Sequence, residues 1–216
     1  MLIVGLTGSL GMGKSTVAKR FIDHGIAVFD ADQSVHDLYR GALVDDIAAL
    51  FPKVVVEGKI DRSRLSKHLR SGSKAENEEN FAKLEAVVHP KVRDMEQEFL
   101  LQCYNKNALI AVLEVPLLFE TGLDQLVDVT VVVSAPPKIR DQRVFASRPD
   151  LSKDKLRTLI AKQMPDEDKR TLADYVIDTS GDIAQTYAYV DDLILTLKDE
   201  AKQDLGGHAL QEWGIG

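Results

Sequence analysis

Residues 8–15 run Gly8-Ser9-Leu10-Gly11-Met12-Gly13-Lys14-Ser15, a complete G-x-x-x-x-G-K-[ST] pattern, and the residues on either side restrict which fold can carry it. Before it, Leu2-Ile3-Val4-Gly5-Leu6 is a short apolar run that predicts a buried strand. After it, Val17, Ala18, Phe21 and Ile22 share one helical face, and Gly25 supplies a stop. Glycines let such a loop bend back so that successive N–H groups face an anion, and the helix behind it adds its positive end. Lys14 is placed to reach β- and γ-phosphates, and Ser15 to offer its hydroxyl to Mg²⁺. A plain glycine turn would not call for Lys14-Ser15. The pattern, Gly8 to Ser15, therefore predicts a nucleoside triphosphate site.

Further apolar runs fall at Ile26–Phe29, Leu109–Val115, Val127–Val133 and Tyr175–Asp178, separated by helical patterns. Continuous apolar strands alternating with helices predict a parallel sheet of about five strands covered on both faces, an α/β fold of three layers. Between residues 33 and 107 the pattern is polar and helical, with stretches near 34–50, 61–70, 75–87 and 91–105. The expected organisation is one domain over 1–200. Its core comprises 1–32, 108–137 and 171–200, a helical insertion fills about 33–107, and a lid spans about 138–170. Residues 201–216, with Gly206-Gly207 and Trp213-Gly214-Ile215-Gly216, are expected to form a loosely held tail.

Charge supports the lid. Residues 138–170 hold ten Lys or Arg against six Asp or Glu, a net +4 inside a chain of −7. A basic helical segment between the last two strands suits a cover that closes over phosphates and excludes water. Arg140 and Arg143 are its candidates for stabilising a moving phosphoryl group, against the alternative of a solvated helix surface. The net charge of −7 argues against a nucleic-acid or anionic-membrane partner. No apolar run reaches 18 residues and Met1 leads directly into the first strand, so neither a spanning helix nor a signal peptide is expected. Cys103 stands alone, which fits a reducing cytoplasm.

Ligands of such sheets gather beyond the carboxyl ends of the strands. Asp30 and Asp32 lie just past the second strand, where a phosphoryl transfer to a hydroxyl needs a carboxylate to orient the acceptor and take its proton. Spacing alone leaves that reading level with a strand end or helix cap. Glu114 is a candidate outer-sphere partner for Mg²⁺ or a simple solvated strand end. His89-Pro90 by itself reads as a helix start, because proline suits the first turn.

The order of these pieces resembles the dephospho-coenzyme A kinase family. The matching segments are Leu6 to Val17, Phe29-Asp30-Ala31-Asp32, Asp61-Arg62 and Val88-His89-Pro90, followed by Val115-Pro116-Leu117-Leu118-Phe119-Glu120. Gln142-Arg143, Ala161 to Pro165 and Asp174 to Thr179 complete the match, which covers about residues 2–200. The resemblance implies a P-loop kinase that moves a phosphoryl group from ATP to the ribose 3′-hydroxyl of dephospho-coenzyme A with Mg²⁺. It implies Gly11, Met12, Gly13, Lys14, Ser15 and Thr16 around the ATP phosphates, Asp32 as the base, Lys14 and Arg143 as the catalytic cations, and His89, Pro116, Leu117 and Leu118, with Asp32, around the acceptor. It also implies that Thr179-Ser180-Gly181 passes near adenine. One departure stands out. The family carries two lid arginines four residues apart, whereas Arg143 and Arg148 are five apart, as if Ser147 were inserted. One residue rotates a helical position by about 100°, so Arg148 is left out of the catalytic set. The rival readings are another small-molecule or nucleoside monophosphate kinase and, more remotely, a GTPase or motor ATPase. The remote pair lacks support: Asn105-Lys106-Asn107-Ala108 has no guanine-reading Asp, and Leu113-Glu114-Val115-Pro116 has no Asp-Glu strand end.

Overall fold

The computed structural model describes residues 1–203 and 208–215 and divides them into two compact units, Met1–Asp30 with Phe99–Gly216, and Ala31–Glu98. In the first unit, β1 (Leu2–Thr7) is buried along its whole length, leads through the glycine loop into α1 (Lys14–Asp23), and is followed by β2 (Ala27–Asp30). Val17, Ala18 and Phe21 form the buried face of α1, three of the four positions that the periodicity selects; Ile22 is exposed.

The second unit is helical with one short hairpin. It holds α2 (Ala31–Leu38), α3 (Val44–Leu50), the antiparallel pair β3 (Val55–Val56) and β4 (Lys59–Ile60), α4 (Arg62–His68) and most of α5 (Lys74–Asn105). Its core gathers Leu43, Ile47, Phe51, Val54, Leu65 and Val88. Three expectations are corrected here. The helical stretch 34–50 is broken into two, with the Gly41 N–H turning back to the Leu38 carbonyl at 3.2 Å. The hairpin was not expected at all; it turns on Glu57 and Gly58, both at positive φ (50° and 72°), with Glu standing where Asn or Asp is usual. Finally, Pro90 does not start a helix but lies inside the 32-residue α5. Its missing N–H and ring are tolerated where the helix faces solvent, while Leu84 and Val88 anchor the opposite side in the core.

Back in the first unit come β5 (Ile110–Glu114), β6 (Val129–Ser134), α6 (Pro137–Ser147), α7 (Lys153–Ile160), α8 (Asp166–Leu172), β7 (Tyr175–Asp178), α9 (Ile183–Lys202) and α10 (His208–Glu212). The sheet order is β2-β5-β1-β6-β7, all parallel. Because β1 is central, the glycine loop emerges at the carboxyl edge between strands that continue to opposite sides, where ligands of open α/β sheets collect.

The tail is also corrected. Among its described residues, Trp213 and Ile215 are 4% and 5% exposed, the Trp213 indole donates to the Leu126 carbonyl at 2.7 Å, and the Ala209 N–H donates to Asp128 at 3.1 Å. Apolar residues at 209, 210, 213 and 215, on α10 and just beyond it, are buried, a pattern that the glycines around the helix obscure. Gly206-Gly207 lies outside the described residues. Among the described residues, no helix is long and apolar enough to cross a membrane.

Candidate active site

The loop from Gly8 to Gly13 is held open by backbone conformations that side chains oppose. Gly13 caps α1 at φ 94°, in the left-handed region, and no side chain caps that helix end. Gly11 has φ 78°, and a Cβ there would stand 2.5 Å from Val144 Cγ2 and 3.0 Å from the Arg140 carbonyl oxygen. Lys14 Nζ lies across the loop and donates to the Gly8 carbonyl at 2.8 Å; Ser15 is exposed at the head of α1.

Surrounding segments tie down the loop's outer face. The Leu10 N–H donates to the Gln163 side-chain oxygen at 3.3 Å, and the Ala135 N–H lies 3.2 Å from the Met12 sulfur. Thr179, 3% exposed, donates its hydroxyl to the Met12 carbonyl at 2.7 Å. Arg143 in turn donates to the Thr179 hydroxyl at 2.9 Å and to its carbonyl. Gly13, Thr16, Arg143, Thr179, Ile183 and Thr186 line a cavity of about 170 Å³ beside the loop. Sequence reasoning placed Thr179 near the nucleotide but missed that it joins the loop to Arg143. A lone threonine after a strand carries no signal of that kind.

The two candidate lid arginines separate. Arg143 faces Thr179, whereas Arg140 pairs with its neighbour Asp141 at 2.7 Å. Arg148 leaves the helical path at the end of α6 (φ −137°, ψ 72°) and is exposed; Ser147 turns its hydroxyl back onto the Arg143 carbonyl at 3.0 Å.

Lys169, counted in the sequence among the basic lid residues, is completely buried. Its ammonium donates to the Pro116 carbonyl at 3.0 Å and sits 3.0 Å from a Glu120 carboxylate oxygen. Glu120 also accepts the Met164 N–H at 2.7 Å, and Asp166 accepts the Ser134 hydroxyl at 2.6 Å. The last part of the basic segment is thus fastened to the carboxyl ends of β5 and β6. This use of Lys169 went unread because charge counting cannot tell an inward lysine from a solvated one.

Within Pro116-Leu117-Leu118, Leu117 is 40% exposed, but Leu118 is fully buried and its methyl carbons would touch a Cβ at Gly5. Leu118 therefore packs under β1 instead of lining a ligand site. Asp30 and Glu114 are register partners at the carboxyl ends of β2 and β5. Asp32 is exposed in the first turn of α2, and His89 is exposed on α5; both belong to the second unit. Glu96, also on α5, is 3% exposed, and burial pushes its carboxyl up to about 7 against the pull of Arg93.

A parallel sheet ordered around a central strand, with its glycine loop and lysine at the carboxyl edge, defines an α/β P-loop nucleotide-binding core. A family model described as dephospho-CoA kinase matches residues 2–185. The dephospho-CoA kinase of Mesorhizobium japonicum is 44% identical over 200 residues, covering 93% of this chain and 98% of that one. That of Rhizobium etli is 46% identical over 198 residues, covering 92% and 95%. The solved structure of TT1252 from Thermus thermophilus superposes with a TM-score of 0.78 at 35% identity, covering 91% of this chain and 97% of that one. The chain belongs to the dephospho-CoA kinase family.

Proposed function

We propose that this protein transfers the γ-phosphoryl group of ATP to the ribose 3′-hydroxyl of dephospho-coenzyme A, giving coenzyme A and ADP, in the cytoplasm. The observation that carries this reading is the glycine loop with Lys14 folded across it, in a chain of the dephospho-CoA kinase family.

In this reading Gly11 to Thr16 hold the ATP phosphates through backbone N–H groups and the open end of α1. Lys14 exchanges the Gly8 carbonyl for phosphate oxygens, and Arg143, poised on Thr179, meets charge spreading over the transferring group. Asp32 accepts the proton of the 3′-hydroxyl as that oxygen bonds to the γ-phosphorus and the bond to the β-phosphate oxygen breaks. His89, Pro116 and Leu117 face the acceptor, and residues 138–170 serve as the lid. Bound Mg²⁺ would neutralise phosphate charge. This chain offers it hard oxygens, the Ser15 hydroxyl and the register-paired carboxylates Asp30 and Glu114. An Mg²⁺ ion held with a nucleotide takes most of its ligands from phosphate and water.

ADP release with Mg-ATP tests this with dephospho-coenzyme A, AMP, CMP and shikimate as acceptors. Turnover is expected with dephospho-coenzyme A alone. Asp32→Asn should lower kcat about a thousandfold while ATP still binds. Turnover only with another acceptor would sink the assignment, and undiminished Asp32→Asn activity would remove the base.

A further inference from the structure

In the second unit, the end of α2, the β3–β4 hairpin and the start of α4 enclose a pocket of about 390 Å³. Four of its lining side chains are basic or imidazole: His36, Arg40, Lys59 and Arg62. Arg62 reaches a ring nitrogen of His36 at 3.1 Å, so its guanidinium rests on an imidazole instead of a carboxylate. Among the described residues, no Asp or Glu pairs with Arg40, Lys59 or Arg62. The one acid in the wall, Asp61, is engaged elsewhere, capping α4 through the Arg64 N–H at 2.9 Å. A chain of net charge −7 has thus gathered three cations in one concavity without compensating them. That arrangement recognises a multiply charged anion, and two guanidinium groups match phosphate oxygens in particular.

The position of the pocket along α2 narrows the anion. Asp32 and His36 are i and i+4 on one helix, so their side chains rise from the same face one turn apart. Within one nucleotide, the 3′-oxygen and the 5′-phosphate are held at opposite ends of a single ribose, a span comparable to one turn of about 5.4 Å. An acceptor whose 3′-hydroxyl meets Asp32 can therefore present its 5′-phosphates to the His36 end. We infer that the pocket of His36, Arg40, Lys59 and Arg62 binds the 5′-diphosphate of the acceptor nucleotide. This inference rests on the reaction proposed above. Tyr39 adds a neutral donor: burial pushes its phenol above the ordinary range, with Arg62 pulling the other way. The hairpin is fixed to the same helix end through the Ile60 N–H on the Tyr39 carbonyl at 3.0 Å.

The test is equilibrium binding and steady-state kinetics of the full chain with dephospho-coenzyme A and with adenosine, which lacks the diphosphate. Arg62→Ala and Lys59→Ala should each raise Kd and KM for dephospho-coenzyme A about ten- to hundredfold, leaving kcat and the KM for ATP within about twofold. Arg62→Lys should recover only part of the loss, because the two-pronged contact is gone. Adenosine binding should not change. Both side chains are exposed, so folding does not depend on them. Unchanged KM for dephospho-coenzyme A in both alanine variants would overturn the inference and leave the proposed reaction standing. Equal weakening of adenosine would overturn it too, by showing a general disturbance of α2. A wild-type chain that fails to phosphorylate dephospho-coenzyme A would overturn both.

Discussion

At the phosphate loop, the groups proposed to meet an anion are mostly backbone N–H groups, fixed by Gly11 and Gly13 and braced from behind by Thr179 and Gln163, with the Lys14 and Arg143 side chains beside them. In the pocket of the second unit they are the tips of long side chains: Arg40, Lys59 and Arg62. The first arrangement is stiff and serves any triphosphate. The second is adjustable and, on the inference drawn above, reads one particular molecule. A kinase needs both, because its donor is common to many enzymes and its acceptor is its own. The comparison also explains where single substitutions should hurt: a backbone site fails abruptly when its geometry is filled, whereas a side-chain site loses affinity contact by contact.

The sharpest way to break this contrast is Gly11→Ala. The added carbon meets the Arg140 carbonyl as well as Val144, and the backbone conformation resists it. ATP affinity should fall about a hundredfold or more by calorimetry. A fall no larger than the one seen for dephospho-coenzyme A in Arg62→Ala would dissolve the distinction. Next in size is Lys169→Met, which leaves Glu120 without its buried cation and should cost about 3 kcal/mol in urea unfolding. Full stability in that variant would mean that the base of the basic segment is held by apolar packing alone.

The second unit has its own signature. Glu96 has its carboxyl raised from 4.5 to about 7, so the folded state holds a proton that the unfolded chain has released. Its contribution is full below about 4.5 and is lost as pH rises to about 7, on the order of 3 kcal/mol in all. Glu96→Gln should flatten that slope in unfolding measured from pH 4.5 to 8; an unchanged slope would place the titration elsewhere. The smallest effect is expected from Thr179→Val, which removes the bond to Met12 and one acceptor for Arg143. KM for ATP should rise roughly tenfold with KM for dephospho-coenzyme A unchanged.

The same division governs what can be read from the chain before it folds. All five parallel strands were legible within a residue or two, because each is a continuous apolar run that a sheet covered on both faces requires. The glycine loop was legible because its geometry admits few residue types. Contacts made across long separations were not. Nothing near Thr179 announces Met12, nothing near Lys169 announces Glu120, and the basic pocket draws its residues from three elements that are separately ordinary. The hairpin at Val55–Ile60 was hidden by its short strands and a turn that begins with glutamate. Pro90 misled because its local rule is a tendency, and the packing of Leu84 and Val88 overrides it.

The central position of β1 has a consequence for how the chain is made. Leu2–Thr7 is synthesised well before its sheet partners among the described residues, β5, at Ile110–Glu114, and β6, at Val129–Ser134. Until residue 134 is clear of the exit tunnel, the phosphate loop has no finished sheet to stand on, and Asp128, which holds the Ile3 N–H at 2.8 Å, also waits for Ala209. The segment of greatest chemical importance is therefore synthesised ahead of the strands that complete it and assembled only after them. A nascent chain stalled before that point cannot draw on cellular ATP to stabilise itself, and its exposed apolar first strand is what a chaperone would meet.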